Sequence, residues 1–194
     1  MALSFASIEQ AAQSLLLEPC MIKAVVDVES SGSGFLSDGR VKILFEGHVF
    51  WKQLKSRGID PAELAKDPAN AGILYPKWTK KHYRGGSGEW ERLELARAIN
   101  NEAALCSASW GLFQIMGYHY QICGYNNVVD FVAGQANSEE EQLLSFCNFM
   151  RSQNLDGFLA KKDWAGFAER YNGKGYKANN YDTRLASAYA ECLG

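Results

Sequence analysis

The chain has 194 residues, of which 47% are hydrophobic and 12% aromatic, which is enough to build a packed core and excludes a disordered protein. A formal net charge of −2, without a long run of Lys and Arg, argues against a nucleic-acid partner. No stretch approaches the ~18 consecutive apolar residues of a membrane span, so we expect no stable membrane insertion.

The N-terminal part of the chain combines helical patterns with one turn signal. Ser7 is a candidate N-cap for a first helix. Pro19 suits the first turn of a second helix, which we expect over residues 19–31. Asp38-Gly39, flanked by apolar residues, predicts a small β-hairpin over residues 35–45. Further helices are predicted over 47–56 and 60–66, followed by a long loop over 67–88.

The remainder of the chain has nearly continuous helical periodicity, with Ser138, Asp163 and Asp182 as candidate N-caps. The predicted helices cover residues 89–105, 107–116, 127–135, 138–153, 163–171 and 182–192. These elements predict an α+β fold that is mostly helical, with a small β-hairpin lobe. We expect a single domain over residues 1–194 and a monomer.

The cysteine and histidine patterns indicate neither a disulfide framework nor a metal site. The number of cysteines is odd and no CxxC pair occurs, so we expect reduced, core-packed thiols and synthesis in a reducing compartment. The histidines are far apart and lack metal-ligand spacing, so we expect no metal and no cofactor. The residues concerned are Cys20, Cys106, Cys123, Cys147, Cys192, His48, His82 and His119.

One carboxylate lies on an apolar helix face. Ile22, Val25 and Val26 form the stripe of the second helix, and Glu29 continues its i, i+3, i+4, i+7 spacing. Burial, together with the negative end of the helix dipole, would raise the pKa of this carboxyl, as a general acid requires. The pattern alone leaves another interpretation open, in which Glu29 pairs with a basic residue or is solvated beyond an early helix end.

Three short segments occur in a suggestive order: Glu29-Ser30, GLFQIM at residues 111–116, and YNG at residues 171–173. This order resembles goose-type lysozymes and soluble lytic transglycosylases. A closer resemblance covers nearly the whole chain: VESSG at 28–32, ILFEGH at 43–48, SWGLFQIMG at 109–117 and YNG look like the N-acetylmuramidase family of phage endolysins. The chain departs from that family at Gly47, where Arg is common, and we expect no separate cell-wall-binding module.

The resemblance implies a lysozyme-like fold and a peptidoglycan hydrolase that cleaves the β-1,4 bond between N-acetylmuramic acid and N-acetylglucosamine. Glu29 would be its catalytic acid. Glu46 is the candidate second catalytic carboxylate, which could activate water or stabilise oxocarbenium charge. The alternatives for Glu46 are a solvated strand-end residue or an ion pair with His48 or Arg84.

The candidate substrate-binding residues each have a structural alternative. Gln114 could hold a sugar hydroxyl or N-acetyl group, or cap local backbone. Tyr171 and Asn172 could contact the catalytic carboxyl and an acetamido group, or simply end a helix before Gly173. Ser30 could orient the general acid or be solvated. The aromatic candidates for sugar stacking are Tyr118, Tyr75 and Trp110, the last being more readily a core residue.

Two other functions remain open from the sequence. A lytic transglycosylase would use the same site to form 1,6-anhydromuramic acid, and a catalytically inactive glycan-binding module would keep only the cleft. The N-terminal residues lack a basic region, and Glu9 interrupts their apolar character, so no signal peptide is predicted. We therefore expect synthesis in a bacterial host cytoplasm and action on the periplasm or cell wall, after release by a holin-type protein or delivery by a secretion system.

Overall fold

The structure, a computed structural model, describes residues 3–30 and 32–194. It is α+β and mostly helical, with one small antiparallel sheet, which confirms the predicted fold class. The α-helices are Phe5–Leu15 (α1), Pro19–Glu29 (α2), Gly47–Ser56 (α3), Pro61–Leu64 (α4), Ser87–Ile99 (α5), Asn101–Cys106 (α6), Val128–Asn137 (α7), Glu139–Ser152 (α8), Asp156–Ala160 (α9), Trp164–Asn172 (α10) and Tyr181–Leu193 (α11). The strands are Ile43–Phe45 (β1), Ala108–Trp110 (β2) and Ile115–Met116 (β3).

The sheet forms differently from the predicted hairpin. Across the proposed Asp38-Gly39 turn, one isolated bridge joins Phe35 and Val41. The strand β1 instead pairs with β2, which lies about 65 residues later, and β2 pairs with β3 in the order β1-β2-β3. The predicted hairpin therefore occurs only as this single bridge, and the pairing of β1 with β2 was not foreseen, because a partner so distant in sequence leaves no local turn signal.

The predicted helix over residues 107–116 was also wrong. Gly111 and Gln114 have φ values of +70° and +50°, which an α-helix does not contain. A tight turn at these residues reverses the chain between β2 and β3. The apolar residues that suggested helical periodicity instead lie in two short strands and in the turn between them.

Helix ends follow ordinary capping with two corrections. The side chains of Ser138 and Asp163 accept backbone N–H groups at the starts of α8 and α10, as predicted. The first helix, α1, is capped by Ser4, which accepts the N–H of Ser7, so Ser7 is not its N-cap. Asn180 precedes α11, and Asp182 lies within its first turn.

A disulfide joins Cys20 to Cys192, contrary to the expectation of reduced thiols throughout. It connects the start of α2 to the end of α11, whose Cα atoms lie 5.5 Å apart at these residues. The sequence hides this pairing because 172 residues separate the two positions. The thiols of Cys106, Cys123 and Cys147 are free and buried, as predicted.

Among the described helices, none is long and apolar enough to cross a bilayer.

Candidate active site

Glu29 is the last residue of α2, and it lies at the edge of a cleft. Pro19 begins the helix, and the apolar face carrying Ile22, Val25 and Val26 is buried, as the spacing predicts. The backbone becomes extended at Ser30, so Glu29 lies at the edge of the core and is partly buried. The side chain of Glu29 therefore extends from the apolar face of α2 into a concave surface.

The cleft has a volume of about 440 Å³ and a mixed apolar and polar lining. It lies between the end of α2, the turn and strand that follow β2, and the helices α8 and α10. Its lining residues are Glu29, Phe113, Gln114, Ile115, Met116, His119, Phe149, Tyr171 and Asn172. Four residues expected from the sequence therefore meet here: Glu29, Gln114, Tyr171 and Asn172.

The Glu29 carboxyl is held by one side-chain hydrogen bond and has a raised pKa. The amide Nδ2 of Asn172 donates to Oε1 of Glu29 at 2.9 Å. Desolvation by burial raises the pKa, whereas the Asn172 hydrogen bond and the positive charge of Arg184 lower it by less. The net direction favours a carboxyl that keeps its proton at a higher pH than an exposed glutamate does.

Tyr171 forms an aromatic wall beside Glu29. Its ring stacks on Phe167 with centroids 5.7 Å apart and meets Phe146 edge-on at 5.6 Å. Burial, followed by the nearby Glu29 charge, raises the pKa of the Tyr171 hydroxyl, so this group stays protonated. The helix α10 ends at Asn172, and Gly173 follows with a φ of +79°. This positive φ turns the chain away and leaves Tyr171 and Asn172 at the cleft.

The side chain of Gln114 bonds mainly to its own turn. Its amide nitrogen Nε2 donates to the carbonyl of Gly111 at 2.8 Å, and its Oε1 accepts a hydrogen bond from the hydroxyl of Ser109 at 2.8 Å. These contacts match the backbone-capping alternative, while the residue still lines the cleft. Gln114 therefore shapes the turn that forms one cleft wall.

Glu46 lies outside the residues that line this cleft but shares a sheet face with one of them. Leu44, Ser109 and Met116 are paired across the three strands, and Met116 lines the cleft. Glu46 comes two residues after Leu44 with extended backbone, and its N–H donates to the carbonyl of Ser107 at 2.9 Å, continuing the ladder. Because strand side chains alternate between faces, Glu46 projects on the same face as Met116.

The Glu46 carboxylate is partnered by two side chains. The hydroxyl of Tyr83 donates to its Oε1 at 2.7 Å, and Nδ1 of His48 lies 3.2 Å from its Oε2. Oε2 of Glu46 and Nδ1 of His48 are both buried, and their close contact is not aligned as a hydrogen bond. Arg84, the other partner considered, pairs with Glu91 instead, at 2.8 Å.

Several other expected residues lie elsewhere. Ser30 lines a neighbouring groove with Gly32 and Glu139, on the other side of the α2 end. Tyr118 is 43% exposed beside the cleft residue His119, with ring centroids 4.3 Å apart. Trp110 is a core residue, and Tyr75 is buried, with its hydroxyl accepting the N–H of Gly47.

Comparison with known proteins shows to which family the chain belongs. The family model described as "Muramidase: N-acetylmuramidase" matches residues 18–193. The chain belongs to the N-acetylmuramidase family. Its fold is similar to the crystal structure of the Burkholderia AP3 phage endolysin, with a TM-score of 0.91 and 39% sequence identity over 97% of this chain and 71% of that one. A search of curated proteins gives no match. The resemblance to muramidases of phage endolysins is thereby confirmed.

A buried ion pair, not foreseen from the sequence, supports the Glu46 side of this muramidase fold. Glu89 and Arg92 are almost completely buried and lie 2.6 Å apart. Glu89 accepts the N–H groups of Phe45, Arg84 and Gly85, and Arg92 donates to the carbonyl of Phe45. The pair therefore joins the end of β1 to the loop that carries Tyr83. The i, i+3 spacing of the pair was the available signal, although it resembles any exposed helix pair.

Two further buried polar residues at the start of α8 hold the loops around Glu29. Glu139 accepts the N–H of Gly34 at 2.7 Å, and Gln142 accepts the N–H of Leu112 at 2.7 Å. At Gly34 a Cβ would clash with the side-chain amide of Gln142, so the close approach requires glycine. Within the described part of the chain, no group of three His, Cys, Asp or Glu side chains is arranged to hold a metal ion.

Proposed function

We propose that this protein is a peptidoglycan hydrolase that cleaves the β-1,4 bond between N-acetylmuramic acid and N-acetylglucosamine, with Glu29 as its general acid. The observation that carries the proposal is the Glu29 carboxyl, whose pKa is raised by burial at the edge of a polar and aromatic cleft. Membership of the N-acetylmuramidase family and the similarity to a phage endolysin support the same substrate class.

In this mechanism Glu29 protonates the bridging oxygen as the bond to the anomeric carbon lengthens. The hydrogen bond from Asn172 fixes the orientation of the carboxyl and supports its anion after proton transfer. The hydroxyl of Tyr171, which stays protonated, is available to donate to the sugar or to the carboxylate. Glu46 is the proposed second carboxylate, which acts on water or on oxocarbenium charge from the sheet face that it shares with Met116.

The sugar-binding residues follow from the same cleft. Asn172 is proposed to contact an acetamido group with the part of its amide that Glu29 leaves free, and Gln114 to form the cleft wall. Tyr118, exposed beside His119, offers an aromatic face for stacking at the end of the cleft. Ser30, which directly follows Glu29 and lines the adjacent groove, is proposed to orient the general acid.

A second candidate, a lytic transglycosylase, is favoured by one observation. Glu29 is the single acidic residue among those described as lining the cleft. A transglycosylase needs one glutamate, which first protonates the leaving oxygen and then deprotonates the muramyl 6-hydroxyl as that hydroxyl attacks the anomeric carbon. The product is 1,6-anhydromuramic acid in place of a reducing end.

Digestion of purified sacculi, followed by borohydride reduction and mass spectrometry of the fragments, tests both candidates. A muramidase yields reducible N-acetylmuramic acid ends, whereas a transglycosylase yields anhydro ends that resist reduction. We expect Glu29→Gln to lose about 10²–10⁴-fold in rate, the usual contribution of a general acid. The exposed Glu9 of α1 supplies the matched control, Glu9→Gln. Full activity of Glu29→Gln would refute the role of Glu29.

Glu46 distinguishes the candidates further. In a hydrolase that uses Glu46, the variant Glu46→Gln loses rate while its products keep reducing ends. In a transglycosylase with Glu29 alone, Glu46→Gln retains most of its activity. Binding of intact sacculi by all variants without cleavage by the unmodified protein would instead support a glycan-binding module.

The biological setting is proposed from the phage endolysin neighbour. The protein would be made in a bacterial host cytoplasm and reach the wall after holin-type release or through a secretion system. Expression in a Gram-negative host with and without a co-expressed holin tests the first route. Lysis that requires the holin supports it, and equally rapid lysis without a holin contradicts it.

A further inference from the structure

The helices α2 and α11 form an antiparallel pair that is joined at both ends. At one end, the disulfide links Cys20, near the start of α2, to Cys192, near the end of α11. At the other end, Nη2 of Arg184 donates to the carbonyl oxygen of Val28 at 3.2 Å. The second contact adjoins Glu29, which is the next residue along the chain.

The Val28 contact satisfies a group that the helix cannot satisfy alone. The last four carbonyls of an α-helix have no partner within the helix, and a cation near them interacts favourably with the helix dipole. The last turn of α2 contains no basic residue. Arg184 therefore supplies from α11 the charge that α2 lacks at its C-terminal end.

The guanidinium of Arg184 is itself oriented. Its central carbon lies over the ring of Tyr181, 5.4 Å from the ring centroid, as in a cation–π contact. From this position its charge acts on the neighbouring carboxyl and lowers the pKa of Glu29, against the larger effect of burial. The Arg184 side chain thus binds the end of α2 and also lowers the pKa of the acid through its charge.

We propose that Arg184 is a positioning residue for the reaction: it fixes the C-terminal end of the helix that carries Glu29 and holds a positive charge beside that carboxyl. The proposal rests on the role of Glu29 as general acid. The contacts assign this role to α11, a helix whose residues lie outside the lining of the Glu29 cleft.

Among the residues that the structure describes, the other groups that face Glu29 carry no permanent positive charge. Asn172 is neutral, and Tyr171 stays protonated because burial and the Glu29 charge raise its pKa. Burial lowers the pKa of the cleft residue His119, which keeps it neutral at neutral pH. On α2 itself, the neighbouring Asp27 is paired with Lys23 at 2.6 Å. Arg184 is therefore the charge that opposes burial at Glu29.

The pH profile of kcat/KM tests this proposal. Glu29 must be protonated to act, so activity falls as pH rises through its pKa. Removing the charge in Arg184→Gln raises that pKa, and we expect the alkaline limb to move up by roughly 0.2–0.7 pH unit, the range for an exposed charge pair. Arg184→Lys should return the limb towards its original position.

The control variant Arg170→Gln removes one positive charge from an exposed site on α10. A limb that moves equally in Arg170→Gln and Arg184→Gln would overturn the proposal, because the change would then reflect net charge alone. A limb that does not move in Arg184→Gln would overturn it as well.

Direct titration of Glu29 separates this proposal from the proposed function. Carboxyl-labelled NMR reports the Glu29 pKa without substrate, so a higher pKa in Arg184→Gln supports the electrostatic contact whether or not Glu29 is the acid. If Arg184→Gln fails to fold, the unmodified protein still gives a test. Raising the ionic strength to about 0.5 M screens an exposed charge and should raise the Glu29 pKa, and an unchanged or lower value would contradict the proposal.

Discussion

The side-chain amide of Asn172 donates to Oε1 of Glu29 at 2.9 Å, although 143 residues separate them in the chain. The contact joins the last residue of α2 to the last residue of α10. Two helix ends therefore meet at the carboxyl that we propose as the general acid, and each end leaves its side chain facing the cleft.

Asn172→Ala should raise the Glu29 pKa, because the lost hydrogen bond favoured the charged form. The alkaline limb of the pH profile then moves up by about one pH unit, since hydrogen bonds to charged groups contribute about 1.5–3 kcal/mol and this carboxyl is only partly buried. We also expect a lower kcat, because the carboxyl is less well oriented. The exposed Asn179→Ala is the control for pH-activity measurements, and a downward shift in Asn172→Ala would contradict this account.

Glu29→Gln should stabilise the protein at neutral pH. The folded-state pKa of Glu29 is raised above its unfolded value, so the folded state favours the protonated form. Below the unfolded pKa, Glu29 is protonated in both states and costs no stability. As pH rises from the unfolded pKa through the folded pKa, ionisation of Glu29 increasingly destabilises the folded state. Thermal unfolding should therefore show a higher Tm for Glu29→Gln than for the unmodified protein at about pH 7.5, and a smaller difference at about pH 4. Equal Tm differences at both pH values would speak against a perturbed carboxyl.

Reduction of the Cys20–Cys192 disulfide should lower stability. A disulfide that closes a long loop contributes about 2–4 kcal/mol by restricting the unfolded chain. For a protein of this size that corresponds to a decrease in Tm of roughly 4–16 °C on adding dithiothreitol. The double variant Cys20→Ser/Cys192→Ser should have the lower Tm already and should not respond to the reductant. A reductant effect of the same size in both proteins would exclude the disulfide as its cause.

Arg92→Met should destabilise the fold by about 3–5 kcal/mol, because it leaves the Glu89 carboxylate buried without its charged partner. The comparison is Arg97→Met, which breaks the exposed pair between Arg97 and Glu94 and should cost less than about 1 kcal/mol. Urea unfolding of both variants measures the difference. Similar midpoints would show that the buried pair contributes no more than the surface pair.

The candidate site was only partly predictable from the sequence. The apolar stripe of α2 placed Glu29 at the core edge because helical spacing is local and regular. The family segments also brought Gln114, Tyr171 and Asn172 to notice. His119 was considered only as a metal ligand, yet it lines the cleft. Arg184 lies in no motif, and only the packing of α11 against α2 brings it to Val28.

The sequence by itself determined most helices, their capping at Ser138 and Asp163, and the family to which the chain belongs, because these depend on local periodicity and short segments. The tertiary structure alone decided the β1-β2 pairing, the Cys20–Cys192 disulfide and the buried Glu89–Arg92 pair. The physical reason is the same in each case. The β1-β2 pairing and the disulfide join residues of distant segments, and packing against distant segments buries the Glu89–Arg92 pair. No local pattern encodes which segments will meet. For Glu29 the two levels combine: local spacing puts a carboxyl on the apolar face, and distant residues determine the pKa at which it releases its proton.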